Sequence, residues 1–222
     1  MTAKLIGAEL LDRIEKNWGT FFRQYEMALK ELVSDFQIID LEWQSKHGYS
    51  PIEHLKTRLK TPQSILKKLE KRNLPFSKES VQANIKDIAG LRIVTGFLDD
   101  VYMLSEHIDQ REDIRVVEVK DYIQNPKPSG YKSLHLVVET QVILSNDVLW
   151  VPAEIQLRTL SMDFWASTEH KLNYKYEGGE VPEASKRQLM EIAEAAFSLD
   201  EKMSVLRSQL LTNQTDAYRI TS

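Results

Sequence analysis

Cysteine is absent from all 222 residues. That excludes disulfides and thiolate metal sites and fits a reducing compartment, so a cytoplasmic chain is expected. No apolar run reaches the length of a membrane span, and the opening MTAKLIGAELLDRIEKNWG has no signal-peptide core. Histidines 47, 54, 107, 135 and 170 show neither HExxH nor paired-ligand spacing, which argues against a zinc site. The GxxxxGK[ST] pattern is missing, so no P-loop holds a phosphate here, and GxSxG is missing too. There is no internal repeat, low-complexity segment or inter-domain linker. A net charge of −4 disfavours a general nucleic-acid binder.

What remains is the composition of an ordinary globular protein, 42% hydrophobic and 28% charged. Residues 8 to 35 predict a long helix, with Leu11, Ile14, Trp18, Phe21, Tyr25, Ala28 and Leu32 forming one apolar seam. Leu189, Ile192, Ala196, Leu199, Met203, Leu206 and Leu210 repeat that rhythm near the other end. Such seams cover a domain's own core or join subunits. Between them AGLRIVTGF (89–97) and IRVVEVKDY (114–122) read as strands around a helix at about 99 to 110. SLHLVVETQVIL and DVLWVPAEIQL alternate on either side of SND, as a hairpin does. Residues 159 to 176 return to helix, closed by Gly178 and Gly179, with EGGEVPE as a helix–helix turn. The expected fold class is α/β (α+β), a mixed sheet flanked by helices. The chain reads as one domain, residues 1–222, with helical extensions at about 1–45 and 182–222.

The segment TRLKTPQSILKKLEKR (57–72) is the most cationic. Thr61 can cap a helix whose first position is Pro62. Ser64, Lys68 and Lys71 then share one face with Arg72 beside them, while Ile65, Leu66 and Leu69 turn inward. Arg58 and Lys60 precede the helix start, where free N–H groups already favour anions. A solvated lysine-rich helix would look similar, but cations framing a helix start suit a polyphosphate.

Polyphosphate brings a divalent cation, and carboxylates should stand at nearby strand ends. Asp87 immediately precedes IAGLRIV. On the second hairpin strand Glu154, Gln156 and Arg158 share a face, opposite Ala153, Ile155 and Leu157. The partner strand sets Ser133, His135 and Glu139 against Leu134, Leu136 and Val138. A solvent-facing sheet would alternate in the same way, and Asp87 could simply cap a turn. In NPKPSGYKSLHL (125–136) two prolines and a glycine stiffen a loop that presents Lys127, Tyr131 and Lys132 at the mouth of the sheet. An aromatic face among cations suits a phosphorylated, flat-ringed ligand.

Taken in order, TRLKTPQSILKKL, DIAGLRIV, NPKPSGYKSLHL, AEIQLRT and DFWASTEHKLNYKY resemble the synthetase domain of the RelA/SpoT family across residues 45 to 205. The length is similar to that of the small alarmone synthetases, and HGYSPIEH with DYIQNPKPSGY resembles their RelP-like branch. The His-Asp motif of a hydrolase domain is absent. The resemblance implies a nucleotidyltransferase-like fold and transfer of the β,γ-pyrophosphate of ATP to the 3′-hydroxyl of GDP or GTP. It places Arg58, Lys60, Ser64, Lys68, Lys71 and Arg92 on ATP. Tyr131 would stack on guanine, with Lys127, Lys132 and His135 at the acceptor's phosphates. Gln156 would help place the acceptor, and Asp163 in SMDFW would face the guanine edge. Asp87 would hold Mg²⁺, and Glu154 would contact metal or activate the hydroxyl. It also implies a homotetramer, with RNA only as a regulator.

A non-catalytic nucleotide or RNA-binding module could use the same basic groove, although Asp87 and Glu154 are then unexplained. A nucleotidyltransferase would show a GS motif followed by paired aspartates on a strand, which is absent.

Overall fold

The computed structural model describes residues 18–175 and 181–220. Leu11, Ile14, Gly178 and Gly179 therefore lie outside the described residues. Helix α1 (Gly19–His47) buries Phe21, Tyr25, Ala28, Leu29, Leu32, Phe36 and Ile39, the three-four spacing of an amphipathic helix. It ends at Gly48, whose φ of 63° is the left-handed cap that glycine adopts without strain, its N–H returning to the Gln44 carbonyl. The helix thus runs further than residue 35, because Phe36 and Ile39 continue the seam.

Strand β1 (Ile52–Leu59) follows, then α2 (Pro62–Lys71), α3 (Lys78–Asn84), β2 (Ala89–Thr95), α4 (Leu98–Asp109) and β3 (Ile114–Asp121). The hairpin β4 (Leu134–Ile143) and β5 (Val148–Thr159) leads directly into α5 (Leu160–Lys175), and α6 spans Glu183–Ile220. The sheet order is β1-β2-β5-β4-β3, with β2 and β5 parallel and every other pairing antiparallel. Helix α1 lies across β1, β2, β5 and β4. Its seam joins Leu91, Ile93, Leu134, Leu136, Ile155 and Leu157 in one buried cluster. Each of these large side chains contributes about 1.5–3 kcal/mol when fully buried.

Strand β1 and α3 are additions to the sequence reading. β1 sits on the sheet edge and half-buries only Ile52, Leu55 and Leu59, so it shows no period of two. α3 is a single short helix capped by the Ser77 hydroxyl, which accepts from the Ser80 N–H. Helix α6 is a finding of a different kind. Its inner stripe is Leu189, Ala193, Phe197, Asp200, Ser204 and Arg207, whereas Ile192, Leu199, Met203, Leu206 and Leu210 are exposed. Arg207 donates to the buried Asp100 at 2.7 Å, and the Tyr49 hydroxyl donates to the same carboxylate, so α6, α4 and the start of β1 are tied at one point.

Candidate active site

The sheet register builds the site. Arg58, Gly90 and Glu154 stand abreast on β1, β2 and β5, and Lys56, Arg92, Gln156 and His135 form the next row across to β4. Gly90 places no side chain between Arg58 and Glu154, which leaves that row open. Together with α5 these strands line a cleft of about 570 Å³, whose walls include Arg58, Lys60, Asp87, Arg92, Tyr131, Glu154, Gln156 and Arg158.

At one end Thr61 caps α2, its hydroxyl accepting from the Ser64 N–H at 3.3 Å, with Pro62 at the first position. Burial of Ile65 and Leu69 fixes the helix's rotation, and Lys68 then reaches Asp87 Oδ1 at 2.8 Å. The Lys60 N–H bonds the Ile88 carbonyl at 2.8 Å, which continues the β1–β2 ladder and brings the Lys60 ammonium onto Asp87 Oδ2. Burial pushes the Asp87 carboxyl up, but hydrogen bonds and charge from Lys60 and Lys68 outweigh it and hold it below the ordinary aspartate value. Burial also lowers the Lys60 ammonium, more than Asp87 restores. Lys71 is exposed and lies outside the cleft lining.

The other end is a closed ring of hydrogen bonds. Arg158 Nη2 donates to the Tyr131 hydroxyl (2.6 Å) and to Gln156 Oε1 (2.8 Å). Gln156 Nε2 donates to Glu154 Oε2 at 2.6 Å, while His135 Nδ1 meets Glu154 Oε1 at 3.1 Å and its Nε2 meets the Tyr131 hydroxyl at 2.7 Å. With Glu154 ionised and the imidazole neutral, a hydrogen on Nδ1 satisfies all five contacts, the tyrosine then donating to Nε2. Burial raises the Glu154 pKa, but His135 and Gln156 bring it below the ordinary glutamate value. Nearby Asp87 opposes that lowering, so the two carboxylates are electrostatically coupled across the cleft.

Asp163, one turn into α5, bridges two guanidiniums: Oδ1 accepts from Arg92 at 2.8 Å and from Arg158 at 3.1 Å. The Nε atoms of Arg92 and Arg158 are buried without a partner. Asp163 is therefore part of an arginine bridge spanning the floor of the cleft. Lys127 holds its ammonium over the rings of Tyr122 (4.5 Å) and Tyr131 (4.7 Å). Lys132 points away from the cleft and sits 3.2 Å over the Phe197 ring. The structure thus gathers Arg58, Lys60, Lys68, Asp87, Arg92, Tyr131, His135, Glu154, Gln156 and Asp163, and leaves Lys71 and Lys132 apart. Arg158, noted in the sequence only as a face-mate of Glu154, proves to be the hub of the ring; its alternation with Leu157 was the available signal. Lys56 was missed because its edge strand was, and Ser167, His170 and Lys171 of α5 also line the cleft.

A family model described as a region found in RelA / SpoT proteins matches residues 57–179. The chain belongs to the RelA/SpoT family. Among curated relatives of this RelA/SpoT chain, GTP pyrophosphokinase YwaC of Bacillus subtilis is 44% identical over 200 residues, 90% of this chain and 95% of the relative. GTP pyrophosphokinase YjbM of the same organism is 41% identical over 197 residues, 88% and 91% of the two chains. The crystal structure of small alarmone synthetase 1 from Bacillus subtilis bound to its product pppGpp superposes with a TM-score of 0.79 at 40% identity, covering 87% of this chain and 98% of the other. The same synthetase bound to AMPCPP gives 0.73 at 36% identity, over 89% and 99%. The mixed five-stranded sheet is therefore the RelA/SpoT synthetase fold.

Proposed function

We propose that the protein is a GTP pyrophosphokinase that transfers the β,γ-pyrophosphate of ATP to the 3′-hydroxyl of GDP or GTP, giving AMP and ppGpp or pppGpp. The observation that carries this reading is the pairing of Asp87 and Glu154 across one cation-lined cleft. Transfer of this kind is mostly positioning and charge neutralisation, so it needs cations, a metal and a base but no covalent nucleophile.

In this reading Arg58, Lys60, Lys68 and Arg92 take the ATP phosphates and base, with Ser64 at the helix start and Lys71 reaching in from outside. Mg²⁺ fits the donor set: it commonly uses one or two carboxylates and completes its shell with substrate oxygens and water. Among the described residues no three metal-ligating side chains cluster, and Asp87 and Glu154 supply two carboxylates beside the place where phosphates would complete the set. When bound, Mg²⁺ neutralises charge on the transferred group. The Lys60 and Lys68 ammoniums now on Asp87 would turn to the phosphates.

On the acceptor side, a guanine on Tyr131 takes the place of the Lys127 ammonium, which is then free for the phosphates together with His135. Gln156 places the ribose. Glu154, ionised at neutral pH, accepts the 3′-hydroxyl proton as phosphorus draws the oxygen's charge. Lys132 and Asp163 have roles here only if they leave Phe197 and the two arginines. The exposed leucine seam of α6 supports a homotetramer. The lack of cysteine supports the cytoplasm, and no helix among the described residues is long and apolar enough to cross a membrane. HGYSPIEH and DYIQNPKPSGY support the RelP-like branch, and RNA remains a regulator at most. The test is incubation of purified protein with γ-labelled ATP and GDP. Label moving to a guanosine product supports the reading. Label staying in ATP indicates a binding module, and free labelled pyrophosphate indicates a nucleotidyltransferase.

A further inference from the structure

Helix α6 lies outside the region that matches the family, yet its inner face is built against the loop that carries Tyr131. At Gly130 (φ +86°) a Cβ would stand 2.8 Å from the Ala193 Cβ and 3.5 Å from the Met190 Cα, so the loop backbone is pressed onto the helix where neither has a long side chain. Trp165 of α5 donates its Nε1–H to the Leu189 carbonyl at 2.9 Å. Trp165, Ala166 and Ala193 form a small buried cluster of their own, and Tyr131 packs against it. One residue further on, the Lys132 ammonium caps the Phe197 ring at 3.2 Å and feels the charges of Glu201, Glu194 and Asp200 on the same helix.

Within the loop itself, the turn is closed by Gly130 N–H to Lys127 O (2.8 Å) and Lys127 N–H to Tyr131 O (3.2 Å). Those bonds fix the loop's shape. They do not fix its tilt relative to the sheet. The tilt is set from two sides: the Tyr131 hydroxyl is held to Arg158 and His135 of the sheet, and the loop backbone at Gly130 leans on α6.

We infer that Ala193 and Phe197 are positioning residues for the acceptor nucleotide: α6 supports the 125–132 loop from behind, setting where the Tyr131 ring stands over the cleft. The inference rests on Tyr131 being the acceptor's platform. Lys60, Lys68 and Asp87 are held instead by α2 and the segment before β2, so loosening α6 should separate acceptor from pyrophosphate donor. Ring displacements near 1 Å are enough to matter for a reacting group.

Phe197→Ala, Phe197→Tyr and Ala193→Leu test this. Phe197→Ala should raise KM for GDP on the order of tenfold, with KM for ATP within about twofold, and Phe197→Tyr should restore it because the ring is kept. Ala193→Leu, which pushes on Gly130, should show the same split. Independently of chemistry, amide hydrogen exchange in residues 125–132 should accelerate in Phe197→Ala while β2 and β5 stay protected. Equal rises in both KM values, or unchanged exchange in the loop, overturns the inference. If the wild type forms no product while loop exchange still responds, the fault lies in the reading of the cleft and not in the support of the loop.

Discussion

At the scale of single residues, the site is two carboxylates held in different ways. Asp87 is held by two lysines and Glu154 by a histidine and an amide, so removing each should fail differently. Glu154→Gln keeps shape but removes the acceptor of the proton, and turnover should fall by about 10²–10⁴ with nucleotide binding nearly intact. Asp87→Asn should weaken Mg²⁺ dependence and ATP binding, with partial rescue at high Mg²⁺. A Mg²⁺ titration of rate for both variants decides the roles; rescue of Glu154→Gln instead would make Glu154 the metal ligand. The pH dependence follows from burial, which raises Glu154, and from His135 and Gln156, which together outweigh it. A depressed carboxylate keeps its charge until pH falls below the ordinary glutamate value, so the acid limb of kcat/KM should lie below that value. His135→Gln removes the chief lowering partner and should move that limb to higher pH. A limb that does not move assigns the titration to another group. Tyr131→Ala should cost about 1–3 kcal/mol of GDP or GTP affinity and leave ATP affinity unchanged, measured by calorimetry.

At the scale of elements, much could be read before the structure. The hairpin was legible because both strands alternate, and the alternation put His135, Glu154, Gln156 and Arg158 on one face. The cap and proline at Thr61–Pro62 announced α2. β1 was illegible because an edge strand buries too little to leave a period, and with it went Lys56. The contact of Lys132 with Phe197 was illegible for a related reason: chain proximity to Tyr131 says nothing about which side of the loop a side chain takes, and Phe197 lies far along the sequence. The inner stripe of α6 was also hidden, since Asp200, Ser204 and Arg207 are polar and the leucines beside them draw attention. Asp200 makes this stripe testable. Its buried carboxylate accepts from Thr159 and Ser161, both at Oδ2, so one oxygen takes both bonds and the single amide oxygen of an asparagine, turned to that position, can replace it. Burial raises its pKa despite those hydroxyls and Lys132. A raised aspartate penalises the fold above its pKa, and the penalty disappears as pH falls through it. Asp200→Asn should therefore raise Tm at neutral pH, by a margin that shrinks on acidification. A constant margin would place the effect in packing.

At the scale of the whole molecule, the exposed face of α6 is the feature a lone chain does not use. Leu199 is 55% and Leu206 46% exposed, on the side away from the acceptor loop. Replacing both with aspartate should shift the mass by light scattering to a smaller species while the fold persists. Unchanged mass in folded protein would remove the helix from any subunit contact. The parallel pairing at the centre of the sheet has a consequence in time. Ala89 pairs with Ala153 and Thr95 with Thr159, so the two strands that carry Arg92 and Glu154 are joined across a long intervening stretch of chain. Closing so large a loop costs entropy before any contact repays it, and such pairings form slowly. During synthesis the N-terminal half can collapse early around α1. The cleft cannot exist until Lys171, the last of its lining residues, has left the ribosome, so a nascent or truncated chain holds Arg58, Lys60 and Asp87 well before it has the strand that carries Glu154.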